Sequence, residues 1–194
     1  FELANFPAKV DLTFTDALKQ FVAKHGTSYM QGGQATVIDR GSFVWRVWFD
    51  DPGYEQFLAY CSSHNSIHLP KILSRVRQEE VQFKRNGGPK IIKYVKLEKL
   101  KEAEPSAFTD AIDAIDTAVH IHGAKLPNEI AALAQLALKL KAPDHSDADP
   151  QELKAAILAN PAFFKLLVDL TNKHQANDIT SNNVMFRGTV PVIT

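Results

Sequence analysis

The segment Asn177-Asp178-Ile179-Thr180-Ser181-Asn182-Asn183-Val184-Met185-Phe186-Arg187-Gly188-Thr189-Val190-Pro191-Val192-Ile193-Thr194 carries the strongest structural signal in the chain. Its first half is a polar loop of Asp, Asn, Ser and Thr, residue types that bond their own backbone in turns. Its second half holds two short β-like runs, 184–186 and 190–193, joined at Arg187-Gly188. Before it, Asn160-Pro161 opens a helix with Phe163, Phe164, Leu167, Val168 and Leu170 at helical spacing, fading at His174. The order is therefore helix, polar loop, hairpin.

Working back from there, residues 105–160 are rich in Ala and Leu, and the second part of the chain reads as three helices. Phe108, Ile112, Ile115 and Val119 mark one, stopped by Gly123. Leu126-Pro127 opens another, with Ile130, Leu133, Leu136 and Leu140 inward, ending before Pro143. Asp149-Pro150-Gln151-Glu152 is a cap signal, which Asn160-Pro161 repeats.

The first part is rich instead in Val, Ile, Phe, Trp and Tyr, which suit a pleated, half-buried surface. Thr15 followed by residues 16–24 predicts a helix closed by Gly26, and Gly32-Gly33 breaks the chain before a strand at 35–38. Residues 42–49 form the most β-like stretch, and Asp50-Asp51-Pro52-Gly53 opens a helix with Tyr54, Phe57, Leu58 and Tyr60. Residues 72–76 and 80–84 predict a strand pair or one irregular strand, Asn86-Gly87-Gly88-Pro89 a turn, and 91–97 a strand. The order helix–β–β–helix–β–β implies a small mixed sheet. We divide the chain at Pro105, giving a sheet-bearing part at 1–104 and a helical part at 105–194.

Composition narrows the function classes. The 194 residues carry 22 Lys+Arg against 22 Asp+Glu, so a wholesale nucleic-acid binder, which needs a basic excess, is excluded. Charge is nevertheless uneven: residues 71–104 hold ten Lys/Arg and five Glu, whereas 105–160 hold eight acids and four Lys. Cys61 alone excludes an intramolecular disulfide or a Cys-rich zinc site and fits a reducing, cytoplasmic setting, as a small buried residue. No uncharged run approaches the ~20 residues that span a bilayer, so no membrane association is expected. The opening FELANFPAKV has no basic start or apolar core, so no signal peptide is read, and a trimmed start is expected.

Chemistry concentrates in the closing loop. Asp178 and Asn183, five residues apart, can point into one cleft. The carboxylate can accept or orient a hydroxyl proton, and the amide oxygen can ligate a divalent metal bound to phosphates. That division of labour suits phosphoryl transfer, which needs positioning and charge stabilisation more than covalent chemistry. The ordinary alternative is a loop whose polar side chains serve only its own backbone.

This segment resembles the catalytic loop and following hairpin of protein-kinase-like folds. Asn183-Val184-Met185-Phe186 and Pro191-Val192-Ile193-Thr194 are similar to the small serine/threonine kinases encoded by some bacteriophages. The resemblance implies a two-lobed α+β fold, a small antiparallel sheet lobe followed by a helical lobe. It further implies ATP and Mg as cofactors and a protein Ser/Thr hydroxyl as acceptor, with Asp178 catalytic and Asn183 the metal ligand. Val44-Trp45-Arg46 stands where such a fold has its Ala-x-Lys strand, and alternation puts Val44 and Arg46 on one face, a nucleotide roof beside a phosphate-directed cation. Glu55 is the acid expected to pair with Arg46. Leu69-Pro70-Lys71-Ile72 stands at the turn into the next strand, and Glu98-Lys99-Leu100 at the hinge whose backbone receives the adenine edge. Gly32 and Gly33 lie near the phosphate-covering loop.

The departures are as specific as the matches. Arg46 replaces Lys, and a planar fork is not a point charge. Thr180 stands where Lys or His is common, Asn177 where Arg is common, and no G-x-G-x-x-G exists. The metal-binding Asp expected after the hairpin would follow Thr194, which implies truncation or a further segment. Two rivals follow: a pseudokinase acting as a binding or regulatory module for a protein partner, and a small-molecule kinase with Asp110, Asp113 and Asp116 lining a site for a cationic substrate.

Elsewhere, plainer readings prevail. Arg46 between Trp45 and Trp48 can be a surface cation over an aromatic ring. His64 and His68 have the i, i+4 spacing of a metal pair, but Asn65-Ser66 opposes a helix there. His120 and His122 point to different faces. Asp144–Asp149 lacks the Gly and terminal Glu of a calcium loop and caps the next helix. The basic run 90–101 alternates with apolar residues as a solvated strand face, with docking of an acidic partner the lesser option. The oligomeric state is not legible.

Overall fold

The computed structural model describes residues 21, 29–31, 35–81, 90–120, 123–140, 148–174 and 180–194. They are α+β and form two compact units: one comprises the residues up to His64 with Lys71–Lys99, the other Asn65–Pro70 with Leu100–Thr194. The expected helix at 16–24 is described only at Phe21, which is helical and buried; Gly32, Gly33 and the 86–89 turn lie outside the described residues.

The first unit contains β1 (Tyr29–Gln31), β2 (Ala35–Asp39), β3 (Phe43–Trp48), α1 (Pro52–Ser63), β4 (Arg77–Val81) and β5 (Lys90–Glu98). The sheet order is β1-β2-β3-β5-β4 with every pairing antiparallel, correcting the mixed sheet read from element order. The reason is topological: α1 carries the chain from β3 to β4, which runs the same way, and β5 returns between them. No two neighbours are then parallel.

Alternation gives the sheet two apolar faces. Ile38, Val47, Ile92 and Tyr94 pack on Phe21, joined by Trp45 and Phe49. Trp48, Val95 and Leu97 face Tyr54 and Leu58 of α1, joined by Val44 and Ile72. Burying each such side chain contributes about 1.5–3 kcal/mol, so a one-residue slip of β3 or β5 would forfeit several at once. α1 begins where the sequence places it, because Asp51 Oδ1 accepts from Tyr54 N at 2.9 Å and Pro52 sits at the first helical position. The sheet's edge is the single irregular strand: Ile72 bridges Leu97, Leu73 N donates to Lys96 O at 2.8 Å, and Lys96 N donates to Ser74 Oγ. Pairing then lapses and resumes at β4.

The second unit contains β6 (Lys101–Glu102), α2 (Ala107–His120), α3 (Ile130–Ala137), α4 (Pro150–Ala159), α5 (Pro161–His174), a 3₁₀ turn (Ser181–Asn183), β7 (Val184–Arg187) and β8 (Val190–Ile193). Four helices stand among the described residues where three were read. Pro161 has no N–H to give and disfavours helical geometry at Asn160 (φ −126°), so the repeated start signal is a true break. Asn160 Nδ2 donates to Ala156 O and its carbonyl accepts from Phe164 N, closing one helix and opening the next. The core gathers Ile112, Ile115, Leu133, Leu153, Ile157, Phe163 and Phe164, with Phe108 ringed by Phe163, Phe164 and Phe186 at centroid distances of 5.1, 5.6 and 5.9 Å.

The closing hairpin forms as expected, Gly188 taking φ +63° at its turn, and β6 adds a third strand. Residues 65–70 join this unit through the hairpin. Arg187 donates to Ile67 O (2.7 Å) and Leu69 O (3.0 Å), Ile193 N donates to His68 O, and buried His68 Nδ1 lies 2.8 Å from Pro191 O. No described helix is long and apolar enough to cross a membrane.

Asp51→Ala should remove the cap of α1 and lower stability by about 1 kcal/mol, as should Asp149→Ala, whose carboxylate accepts from Gln151 N. Urea unfolding measures both; an unchanged midpoint would deny the caps an energetic role.

Candidate functional site

The expected site residues divide between the units. In the first, Val44 and Arg46 do share the α1-facing side of β3, with Val44 packed in the Trp48 cluster. Arg46 is half-buried, its guanidinium carbon 4.0 Å from the centroid of the Tyr54 ring. The ring that holds it is therefore neither Trp45 nor Trp48; Trp45 instead receives Arg40 at 5.2 Å. Arg46 Nε is shut off from solvent and has no hydrogen-bond partner among the described residues, and neither has the buried Tyr54 hydroxyl. Burial raises the pKa of that hydroxyl well above its ordinary range, so Tyr54 is a neutral ring under a cation.

Glu55 does not pair with Arg46. Its Oε1 accepts from Lys93 Nζ on β5 at 2.5 Å and from Trp48 Nε1 at 3.4 Å. The cause is one step of helical rotation: Tyr54 points down onto β3, and Glu55 turns toward β5. The Lys93 hydrogen bond, above all, holds the Glu55 carboxyl below its usual range; desolvation opposes it, and the Trp48 hydrogen bond and the Lys93 charge add lesser downward effects. Nothing in the local sequence singled out Lys93, one of several lysines on an alternating strand.

At the hinge-like segment, Glu98 is already engaged: its N–H donates to Lys71 O at 3.1 Å and its carboxylate accepts from Lys71 N at 2.7 Å. That N–H is therefore spent on the chain itself. Lys99 pairs with Asp39 at 2.6 Å in the first unit, and half-buried Leu100 opens the second.

In the second unit, Asp178 lies outside the described residues; Asn183 ends the 3₁₀ turn. Its N–H donates to Thr180 O, and its carbonyl accepts from both Thr194 N (2.8 Å) and Thr194 Oγ1 (3.3 Å). The turn is clamped from α2: Asp113 accepts from Ser181 N and Ser181 Oγ, each at 2.7 Å. This two-pronged carboxylate anchor is the residue the sequence reading assigned elsewhere. Asp113 is thus committed to the loop and Asp116 to His120 at 3.1 Å, which corrects their assignment as a free acidic lining.

The remaining candidates are structural. His64 stacks on Tyr60 at 3.8 Å, His68 is held by the hairpin, and no group of three His, Cys, Asp or Glu among the described residues could hold a metal ion. Cys61 is half-buried rather than fully buried as expected, and desolvation pushes its thiol up to about 12.

Glu55 should make stability pH-dependent. Because its folded pKa is depressed, its contribution is present above its ordinary value of 4.5 and is lost as pH falls through the lowered one. Glu55→Gln should accordingly melt below the parent at neutral pH, with the gap closing in acid. A gap constant with pH would contradict the Lys93 pairing. Separately, Asp113→Ala should leave Ser181 unanchored and cost about 1–3 kcal/mol, and Asp113→Ala with Ser181→Ala should cost less than the two singles added, because the partners act as a pair.

No family model, curated protein or solved structure matches this chain.

Proposed function

We propose that the protein is a two-lobed, protein-kinase-like phosphotransferase that moves a phosphoryl group from Mg-bound ATP to a Ser/Thr hydroxyl of another protein. The observation that carries this reading is Arg46, a half-buried guanidinium on an apolar sheet face with a donor atom that meets no acceptor among the described residues. A cation withdrawn from water without a counter-charge is costly unless an anion completes it, and its fork matches phosphate oxygens. In this role Arg46 binds the nucleotide phosphates under the roof formed by Val44. Asp178 takes the acceptor proton as the new O–P bond forms and the bond to the ADP oxygen breaks. Asn183 would hold the metal by its amide oxygen, and the metal would supply charge to neutralise the phosphates; the Asp113 clamp keeps the turn that carries Asn183 in place.

A second reading, a pseudokinase that binds nucleotide or a protein partner without turnover, is favoured by one observation. Glu55 is spent on Lys93 and Trp48, so no carboxylate from α1 aligns Arg46.

Transfer of ³²P from ATP to a generic protein substrate tests the first reading. Asp178→Ala should lower the rate about 10²–10⁴-fold. Arg46→Ala should weaken nucleotide binding, measured by thermal shift with ATP and Mg, by about tenfold or more, the worth of a charge-assisted hydrogen bond. Incorporation equal in native and Asp178→Ala protein overturns the catalytic assignment. A thermal shift without turnover selects the pseudokinase.

A further inference from the structure

Three contacts fix where Tyr54 lies. Its N–H donates to Asp51 Oδ1 at 2.9 Å in the first turn of α1, the Trp48 ring meets it edge-on at 5.0 Å and 74°, and the Phe57 ring lies 6.1 Å away. The side chain is 7% exposed, within the cluster of Trp48, Leu58, Val95 and Leu97. A ring packed on that many sides has little room to turn away. Arg46 is fixed as firmly at its base, because it pairs with Val37 of β2 on one side and Val95 of β5 on the other. Ring and cation therefore meet between two rigid elements of the first unit, α1 and β3, with the guanidinium carbon 4.0 Å from the ring centroid.

This contact differs in kind from a carboxylate pair. A carboxylate would neutralise the cation and occupy its N–H donors. The ring attracts the cation through its quadrupole, brings no counter-charge and takes no N–H in a conventional hydrogen bond. Among the described residues no ion pair engages Arg46, and Nε is its one nitrogen sealed from solvent without a partner. The terminal nitrogens thus keep an open side and the undiminished positive charge. The carboxylate next along the helix, Glu55, is held by Lys93 and Trp48.

We propose that Tyr54 is the residue of α1 that positions Arg46 for a nucleotide polyphosphate, by ring contact in place of a carboxylate. This rests on the reading of Arg46 as the phosphate-directed cation, and it adds how a cation without a paired acid keeps one orientation. An arginine already aligned in the free protein has less side-chain freedom to lose when the anion arrives. Affinity then follows the fraction of molecules in which the ring holds the guanidinium. The ring, not the hydroxyl, does the holding, since the hydroxyl has no partner among the described residues.

The test is calorimetric titration of the full chain with Mg-ATP. Tyr54→Phe keeps the ring and should bind within about twofold of the parent. It should also melt no lower, because the buried hydroxyl it removes is unpartnered. Tyr54→Leu should bind about threefold or more weakly. Fluorinated phenylalanines at position 54 separate ring electronics from packing: mono-, di- and trifluoro rings fill nearly the same space with a progressively weaker quadrupole, and affinity should fall in that order. A ring that serves packing alone would show no such order. Where Tyr54→Leu melts early, the fluorinated series carries the test by itself. Equal affinity along the series, with the parent binding Mg-ATP, overturns this proposal and leaves the Arg46 reading standing. Failure of the parent to bind Mg-ATP overturns both. A loss in Glu55→Gln as large as in Tyr54→Leu would return the aligning role to the carboxylate and overturn the proposal as well.

Discussion

β5 is a nine-residue strand that belongs to two cores at once. Ile92 and Tyr94 enter the Phe21 face, and Val95 and Leu97 enter the α1 face; β3 pairs along one side of it and β4 along the other. Its register therefore fixes which side chains of β3 meet α1. Phe43 pairs with Glu98 and Arg46 with Val95, and this pairing turns Arg46 inward toward Tyr54 and sets Lys93 within reach of Glu55. A shift by one residue would exchange Arg46 for Trp45 and bury a different set altogether.

From that constraint follows an unusual apportionment of charge on the α1 face. Two cations and one carboxylate are available to the same patch: Arg46, Lys93 and Glu55. The carboxylate goes to the lysine, with Trp48 as second donor, and among the described residues the guanidinium receives the Tyr54 quadrupole, worth roughly 0.5–2 kcal/mol. Delocalised charge makes Arg the better cation for a ring, and compact charge makes Lys the better partner for a single carboxylate oxygen. Exchanging the two residues would place each against the partner it fits less well.

The legible parts of the fold are those set by local chemistry. Caps at Asp51 and Asp149, the Gly188 turn, the apolar periodicity of α2 and the alternation of β3 all sit within a few residues of where the sequence signals them. What escaped reading depends on separation along the chain. Lys93 reaches Glu55 across 38 residues, Ser181 reaches Asp113 across 68, and Arg187 reaches the Ile67 and Leu69 carbonyls across 120 and 118. No spacing rule links such pairs. Asp113 left one faint trace, a half-buried acid among the apolar residues of an amphipathic helix, which demands a partner once the helix packs.

The Asp113 clamp also bears on why the 3₁₀ turn at Ser181–Asn183 can be polar and still hold one shape. The polar run Thr180-Ser181-Asn182-Asn183 has many self-bonded turn conformations of similar energy, so its own side chains do not select one. Two hydrogen bonds donated by Ser181 to a helix carboxylate at one end, and the Thr194 N–H and hydroxyl on the Asn183 carbonyl at the other, select it from outside. The anchors grip the turn through the Ser181 main chain and hydroxyl and through the Asn183 carbonyl. A loop ordered by its frame can present a ligand at low reorganisation cost, which is the condition electrostatic catalysis places on its residues.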